Sequence, residues 1–461
     1  MERRDLFKVA GVGVAAATLS ACTTSNAATN AIAGATKAFR TKSSGKRVVV
    51  VGGGFGGLTI AKQLRSKDKN IEVIVLEKKD IFMACPYSNT YLGGLKGVDL
   101  DTLTHDFYAP ANTHGYEFIQ TEVTGIDRGS KTVTTTGGSI DYDILVLSPG
   151  IAYDYEKQFP TWSKEKINHV ARACPAALMP GSEHLALKRQ LNDMDDGDVI
   201  IIPPAKGKYR CPPAPYERTA MVANYMKQEG IEGKVIVLDT RGGKFAKGAA
   251  FKESWKEIYG DQIVYKGSTE IIDVDPVKKT VTFKEFANAE DDKGTVKTHK
   301  YEVCNLIPNN KAHPLVKMSG VKTNGAGYAI MDGTSFRSKT DKNVYVIGDA
   351  VGHGIPPSGQ TAIWGAKRAA SEIVAQLGGT AFDSASGLPA TNANVCFSMV
   401  NGNPNEAIMV THEFSVNPAN GNLKGKGNVP KPKDGGGKFR SAGTGKLTTE
   451  WFNGVMREMF L

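Results

Sequence analysis

Two sets of residues in this 461-residue chain have the types and spacing to do chemistry. The first is a glycine turn, Gly52-Gly53-Gly54-Phe55-Gly56-Gly57, which follows the β-branched run Arg47 to Val51 and is answered by Glu77, twenty residues past Gly57. Gly52 allows the tight turn, Gly54 lets the backbone approach a pyrophosphate at a helix N-terminus, and Gly57 permits close helix packing. Glu77 can accept hydrogen bonds from ribose hydroxyls, so the pattern reads as a dinucleotide site. The second set is the cysteines. With Cys22 set aside, Cys85, Cys174, Cys211, Cys304 and Cys396 remain. Cys304 lies in the apolar run Val303-Cys304-Asn305-Leu306-Ile307 and reads as an inert buried thiol, while Cys174 carries no clear signal. Cys211 stands between Arg210, which favours a thiolate, and Pro212-Pro213, which stiffen the loop.

The elements that must hold these groups read as an α/β doubly wound fold. Arg47 to Val51 is a strand, Leu58 to Arg65 a helix and Ile71 to Leu76 the next strand, a βαβ opening. Strand-like runs return at Tyr116 to Ile126 and Tyr142 to Ser148, and the pattern restarts at Asp198 to Ile202 and Lys234 to Asp239. That restart predicts a second, inserted Rossmann-like domain. Asn343 to Asp349 leads back to the first domain, followed by a helix from Gln360 to Leu377. The expected division is 1–45 signal and linker, 46–155 and 331–383 first dinucleotide domain, 156–330 inserted domain, and 384–461 C-terminal α+β interface domain. Within the last, Asn420 to Gly445 is Gly/Lys-rich and reads as loop. The inserted domain has lost its nucleotide site. Pro203-Pro204-Ala205-Lys206 stands where a glycine turn belongs, and proline offers no N–H to a phosphate. A nicotinamide coenzyme is therefore not expected.

Arg3-Arg4-Asp5-Leu6-Phe7-Lys8 precedes an apolar run, Val9 to Leu19, too short to span a bilayer. It resembles a twin-arginine export signal, with an ordinary secretion signal as the alternative. Leu19-Ser20-Ala21-Cys22 resembles a lipobox, which would make Cys22 a lipid anchor; plain cleavage after Ala28 competes with it. Either route places the mature chain in the periplasm, where a cysteine pair can persist as a disulfide. The net charge of +10 comes from dispersed lysines that do not cluster with aromatics, so a nucleic-acid partner is not expected. No metal site is expected, and the chain has no Cys-x-x-Cys-His for a haem of its own.

Tyr142 to Gly150 and Val344 to Asp349 resemble segments of two-dinucleotide-domain, glutathione-reductase-like flavoproteins, which implies FAD as the dinucleotide. By that resemblance Asp349 holds the ribityl chain, Val123, Gly150 and Gly348 join the cofactor site, and the helix beginning near Ser358-Gly359-Gln360 points its positive end at the flavin pyrimidine. The segment Pro203 to Arg218 adds a more specific likeness, together with Cys85-Pro86-Tyr87-Ser88-Asn89, Gly93-Gly94 and Glu450 to Met456. These resemble the flavoprotein subunits of flavocytochrome c sulfide dehydrogenases, relatives of the sulfide:quinone oxidoreductases. The resemblance implies a covalent bond from Cys85 to the flavin 8α-methyl, with a free pocket thiol as the alternative. It also implies a redox-active disulfide between Cys211 and Cys396, a proton-managing carboxylate at Glu217, and an aromatic near the flavin at Trp451.

The implied activity is an FAD-dependent sulfide dehydrogenase. Hydrosulfide attacks the disulfide to give a persulfide on one sulfur and a thiolate on the other, and two electrons pass through FAD to a c-type cytochrome subunit that carries the haem. The Gly/Lys-rich C-terminal stretch departs from the family pattern. A quinone acceptor is the alternative, reached through Trp451, Phe452, Val455, Met456, Met459 and Phe460, which have roughly helical spacing. A non-catalytic flavin-binding or sulfur-carrier subunit is the third reading.

Overall fold

A computed structural model describes residues 46–461, except Lys206 and Ala289. The export signal, the Cys22 lipobox and the linker lie outside the described residues.

Two parallel sheets carry the architecture. The first orders its strands Val344–Val346, Ile144–Leu147, Arg47–Val51, Glu72–Glu77 and Glu117–Gln120, all parallel. Val48, Val49 and Val50 are fully buried because both faces of the sheet are covered, and such strands are β-branched throughout rather than alternating. Burial of each of these side chains stabilises the fold by about 1.5–3 kcal/mol. The helices Phe55–Lys67 and Gly359–Gly378 pack together on this sheet. The second sheet orders Ile263–Lys266, Val235–Leu238, Val199–Ile202 and Val303–Leu306, again parallel. The antiparallel pair Ile151–Tyr153 and Asn310–Ala312 is where the chain leaves the first sheet for the second and where it returns. The early strand-like run Tyr116 to Ile126 is two strands, Glu117–Gln120 and Val123–Asp127, which lie in different sheets.

The C-terminal segment holds a long antiparallel hairpin, Ala390–Gly402 with Asn405–Val416, and the helix Ala442–Phe460. One expectation fails here. Asn420 to Gly445 is not a continuous loop: Leu423–Asn428 and Arg440–Ser441 both pair with Asn405–Val416, and the helix starts at Ala442. Leu423–Asn428 buries only Leu423 and is held by backbone bonds at the sheet edge, so no apolar alternation marks it in the sequence. In the terminal helix Phe452, Val455, Met456, Met459 and Phe460 are buried on one face. Phe452 stacks on Tyr87 at 4.7 Å and Phe460 on His105 at 4.3 Å, so these side chains are core. No helix among the described residues is long and apolar enough to cross a membrane.

Candidate active site

A cleft of about 710 Å³ opens at the carboxyl ends of the first sheet. Its floor is the glycine turn, in which Gly52 and Gly57 have steric reasons. Gly52 lies at φ 105°, and a Cβ on it would fall 2.4 Å from the Ser148 carbonyl oxygen. A Cβ on Gly57 would fall 1.8 Å from the Gly52 oxygen, so the helix can start against the turn only with glycine there. A Cβ on Gly54 would meet nothing within 4 Å, and as N-cap Gly54 has no side chain over the helix start. Exposed N–H groups at such a start suit a pyrophosphate.

Glu77 ends its strand with Oε2 accepting from Gly53 N at 2.8 Å and Oε1 from Lys79 N at 3.1 Å, and its side chain lines the cleft. Gly52, Gly54, Phe55, Gly56, Val123, Gly150, Gly348, Asp349 and Gly359 line it too. Ser358 caps the helix Gly359–Gly378 by accepting from Thr361 N at 3.1 Å, which leaves the positive helix end at the cleft wall. Asp349 is 9% exposed; its Oδ2 lies 3.5 Å from Arg210 Nε, and its Oδ1 is buried with no hydrogen-bond partner among the described residues. An unpaired buried acceptor costs about 1–3 kcal/mol. A polyhydroxyl ligand that donates to Oδ1 would remove that cost, so the donor and acceptor set fits a flavin dinucleotide.

The remaining predicted residues surround this cleft. Met83 and Met179 line it, and Cys85 lies just behind, its Sγ donating to Leu178 O at 3.1 Å. Trp451 is one layer out: its Nε1 donates to Gln360 Oε1 at 2.9 Å, and Gln360 also accepts from Val395 N at 3.2 Å. Gln360 thus ties the terminal helix and the Cys396 strand to the start of the helix Gly359–Gly378, and no motif in the sequence marked it.

Cys211 and Cys396, 185 positions apart in the chain, come into one site, each a partly accessible free thiol. Cys211 precedes the helix Ala214–Glu229, held at φ 49° with its N–H on Pro357 O at 3.0 Å. A non-glycine residue in the left-handed region costs about 1–2 kcal/mol, strain of the kind found at functional sites. Cys396 sits in the strand Ala390–Gly402 opposite Val410. The expectation that Arg210 makes Cys211 a thiolate is overturned. Burial, followed by the charges of Cys396, Cys85 and Glu217, pushes the Cys211 thiol well up, and Arg210, which shares its charge with Asp349, only partly opposes this.

Glu217 is buried in the first turn of its helix rather than solvated. Its Oε1 accepts from Met399 N at 2.8 Å and its Oε2 from Asn89 Nδ2 at 2.8 Å, while burial raises its pKa. Asn89 is set in turn by Arg218, a fully buried guanidinium whose Nε donates to Asn89 Oδ1 at 3.1 Å and whose Nη1 donates to Ala176 O and Asn305 Oδ1. The Cys85 to Asn89 segment and the Cys211 helix are therefore locked together through one buried cation. Sequence reading missed Arg218 and also Lys247, whose ammonium donates to Cys396 O.

In the inserted domain the turn after Val199–Ile202 is closed by side chains. Arg241 donates to Pro204 O, and Thr240 Oγ1 donates to Ala205 O at 2.7 Å. Lys206, the last residue of the proline turn, lies outside the described residues. Cys304, as expected, is buried, and Cys174 is buried beside Tyr301, 3.6 Å from its hydroxyl.

Two family models match the chain. Residues 46–176 match the family model "Pyridine nucleotide-disulphide oxidoreductase", and residues 184–308 match "Sulfide dehydrogenase [flavocytochrome c] flavoprotein chain, central". A sulfide dehydrogenase flavoprotein chain of Chlorobaculum thiosulfatiphilum is 59% identical over 44 residues, 10% of this chain and 92% of that sequence. The mitochondrial sulfide:quinone oxidoreductase of Dictyostelium discoideum is 23% identical over 315 residues, 66% of this chain. The match spans 65% of that relative's own length. Among solved structures, the sulfide:quinone oxidoreductase of Aquifex aeolicus superposes with a TM-score of 0.65 at 17% identity, covering 90% of this chain and 91% of that one. Its fold is that of the glutathione-reductase-like flavoproteins, and this chain shares it.

Proposed function

The chain belongs to the sulfide:quinone oxidoreductase-related flavoproteins, which include the sulfide dehydrogenase flavoprotein chains, and from that premise we propose that it oxidises sulfide with FAD through the Cys211–Cys396 pair. The observation that carries this reading is the meeting of Cys211, Cys396 and buried Glu217 beside the dinucleotide cleft. Three groups suited to sulfur chemistry come there from separate elements, and one is held in a strained conformation.

In the oxidised protein the two sulfurs form a disulfide. Hydrosulfide attacks one sulfur, a new S–S bond forms as the old one breaks, and the other sulfur leaves with the electron pair. Glu217, its affinity for protons raised by burial, takes the proton the hydrosulfide gives up. The strained Cys211 loop and the bond from its N–H to Pro357 O hold one sulfur in place. FAD, held by the glycine turn, Glu77, Asp349 and the Gly359 helix start, supplies a two-electron acceptor when bound.

Three finer proposals follow from the family. Cys85, just behind the cleft wall, bonds covalently to FAD. The final acceptor is a c-type cytochrome subunit carrying its own haem, since the buried face of the terminal helix leaves its apolar residues packed rather than free for a quinone. Export through the twin-arginine route, with or without a lipid on Cys22, places the protein in the periplasm.

The deciding experiment is anaerobic addition of sulfide to the holoprotein. Flavin absorbance should bleach, and Cys211→Ser, which removes the disulfide that hydrosulfide attacks, should slow bleaching by at least about 10³-fold. An unchanged rate in Cys211→Ser removes the pair from the reaction, and no bleaching in the wild type leaves a flavin-binding or carrier subunit. Mass spectrometry of the denatured protein should find FAD on a Cys85 peptide. Comparing reduction of cytochrome c with reduction of a soluble quinone identifies the acceptor.

A further inference from the structure

Lys247 immediately precedes the helix Gly248–Ile258, in the left-handed region at φ 57° and only 8% exposed. Its ammonium donates to Cys396 O at 2.8 Å and to Ser398 Oγ at 2.9 Å. Both acceptors are neutral. Glu217, which lies within its field, has its two oxygens on Met399 and Asn89 instead. A cation taken out of water whose direct acceptors are both neutral is costly, so with Glu217 only within its field this position favours a negative charge in contact with it. The group that can supply one is the sulfur of Cys396.

We propose that Lys247 is a positioning residue that makes Cys396 the leaving sulfur of the pair, so that hydrosulfide attacks Cys211. The inference rests on the proposed sulfide reaction. The incoming sulfur bonds to Cys211 Sγ, the Cys211–Cys396 bond breaks, and its electron pair stays on Cys396 Sγ as a thiolate opposite the ammonium. No outside oxidant or reductant enters this step. Burial and the Glu217 charge push the Cys396 thiol up, and Lys247 opposes them by its charge and by a hydrogen bond to the side chain. Cys396 faces Lys247 from the loop before the helix Gly248–Ile258 and Glu217 from the helix Ala214–Glu229. His412, on the neighbouring strand, is held neutral by burial and by Lys247. Cys211 faces Cys396, Cys85 and Glu217, and its cation, Arg210, is shared with Asp349.

The test is alkylation of the reduced holoprotein by iodoacetamide across pH, with each cysteine followed by peptide mass spectrometry. In the wild type the midpoint for Cys396 should lie at least about one pH unit below that for Cys211, a tenfold difference in thiolate fraction. Lys247→Met should raise the Cys396 midpoint by about one unit and leave Cys211 in place, and Lys247→Arg should restore it. Equal or reversed midpoints in the wild type overturn the inference, as does an unmoved Cys396 midpoint in Lys247→Met. The wild-type comparison decides the matter even if the Met variant does not fold. A protein inert to sulfide but with the midpoint gap intact would remove the proposed function and leave the charge assignment standing.

Discussion

The two parallel sheets end in turns that occupy the same place in the topology and do opposite things. After Arg47–Val51 the chain turns through glycines, and Glu77, at the end of the neighbouring strand, faces an open cleft. After Val199–Ile202 it turns through prolines, and Asp239, just past the neighbouring strand Val235–Leu238, is buried at 1% exposure. Asp239 accepts from Arg241 Nη1 at 2.9 Å, Tyr216 OH at 2.7 Å and Tyr265 OH at 3.1 Å. The strand-end carboxylate that lines the cleft in one domain has as its counterpart a structural hub in the other. Both carboxylates accept hydrogen bonds from the protein, so what separates the two turns is that Glu77 takes its bonds from backbone amides and still lines an open cleft, whereas Asp239 is enclosed by the side chains that donate to it.

Substitution in the open turn breaks the comparison most severely. Gly57→Ala places a Cβ inside the Gly52 carbonyl, so the helix must move away from the turn. We expect purified protein without bound FAD and a stability loss of at least about 3 kcal/mol, seen as missing flavin absorbance and a lower denaturant midpoint. Gly54→Ala, whose Cβ meets no protein atom, should keep the midpoint and lose FAD affinity only. If both variants behave alike, the steric account of the turn is wrong.

The filled turn should respond the other way round. Asp239→Leu leaves Arg241 and two buried tyrosine hydroxyls without their acceptor, a cost of about 3 kcal/mol, while FAD content stays at wild-type level. Loss of flavin together with the lost stability would show that the second domain's turn still serves the cofactor.

The glycine turn and its flanking strands were legible because backbone geometry permits few residue types there, and the proline turn because proline removes the donors a phosphate needs. Cys85, Glu217 and Cys396 came only from resemblance, and Cys211, marked by the arginine and prolines beside it, gained its partner only there, since nothing in the spacing says that a loop near 211 and a strand near 396 meet. Lys247 and Arg218 were illegible for a different reason. Each is one of 57 cations, and only folding removes its water and gives it a sulfur or a carbonyl to face. The strand Leu423–Asn428 escaped notice because its pairing is backbone-only.

The junction between the two regions should give the smallest effect. Lys208, from the loop that carries Cys211, donates to Val351 O at 3.3 Å and His353 O at 3.0 Å and lies 3.4 Å from His353 Nδ1. Burial, reinforced by the Lys208 charge, pushes the His353 pKa from its ordinary 6.5 down to about 3. Above pH 6.5 the imidazole is neutral in both folded and unfolded chains and contributes no pH dependence. As pH falls below 6.5 the unfolded chain takes up a proton that the folded one refuses until about pH 3, so stability is lost across that window. The limiting slope for one such group is about 1.4 kcal/mol per pH unit, reduced in practice because His353 keeps some contact with solvent. Denaturant midpoints of wild type and His353→Gln, measured between pH 6.5 and 5.5, should therefore diverge, with the variant losing less stability on acidification. Lys208→Met should fall between them, because burial, the larger cause, remains when the charge is gone. Parallel pH profiles for all three proteins would mean that the junction opens to solvent before His353 is protonated, and that the two regions are held together elsewhere.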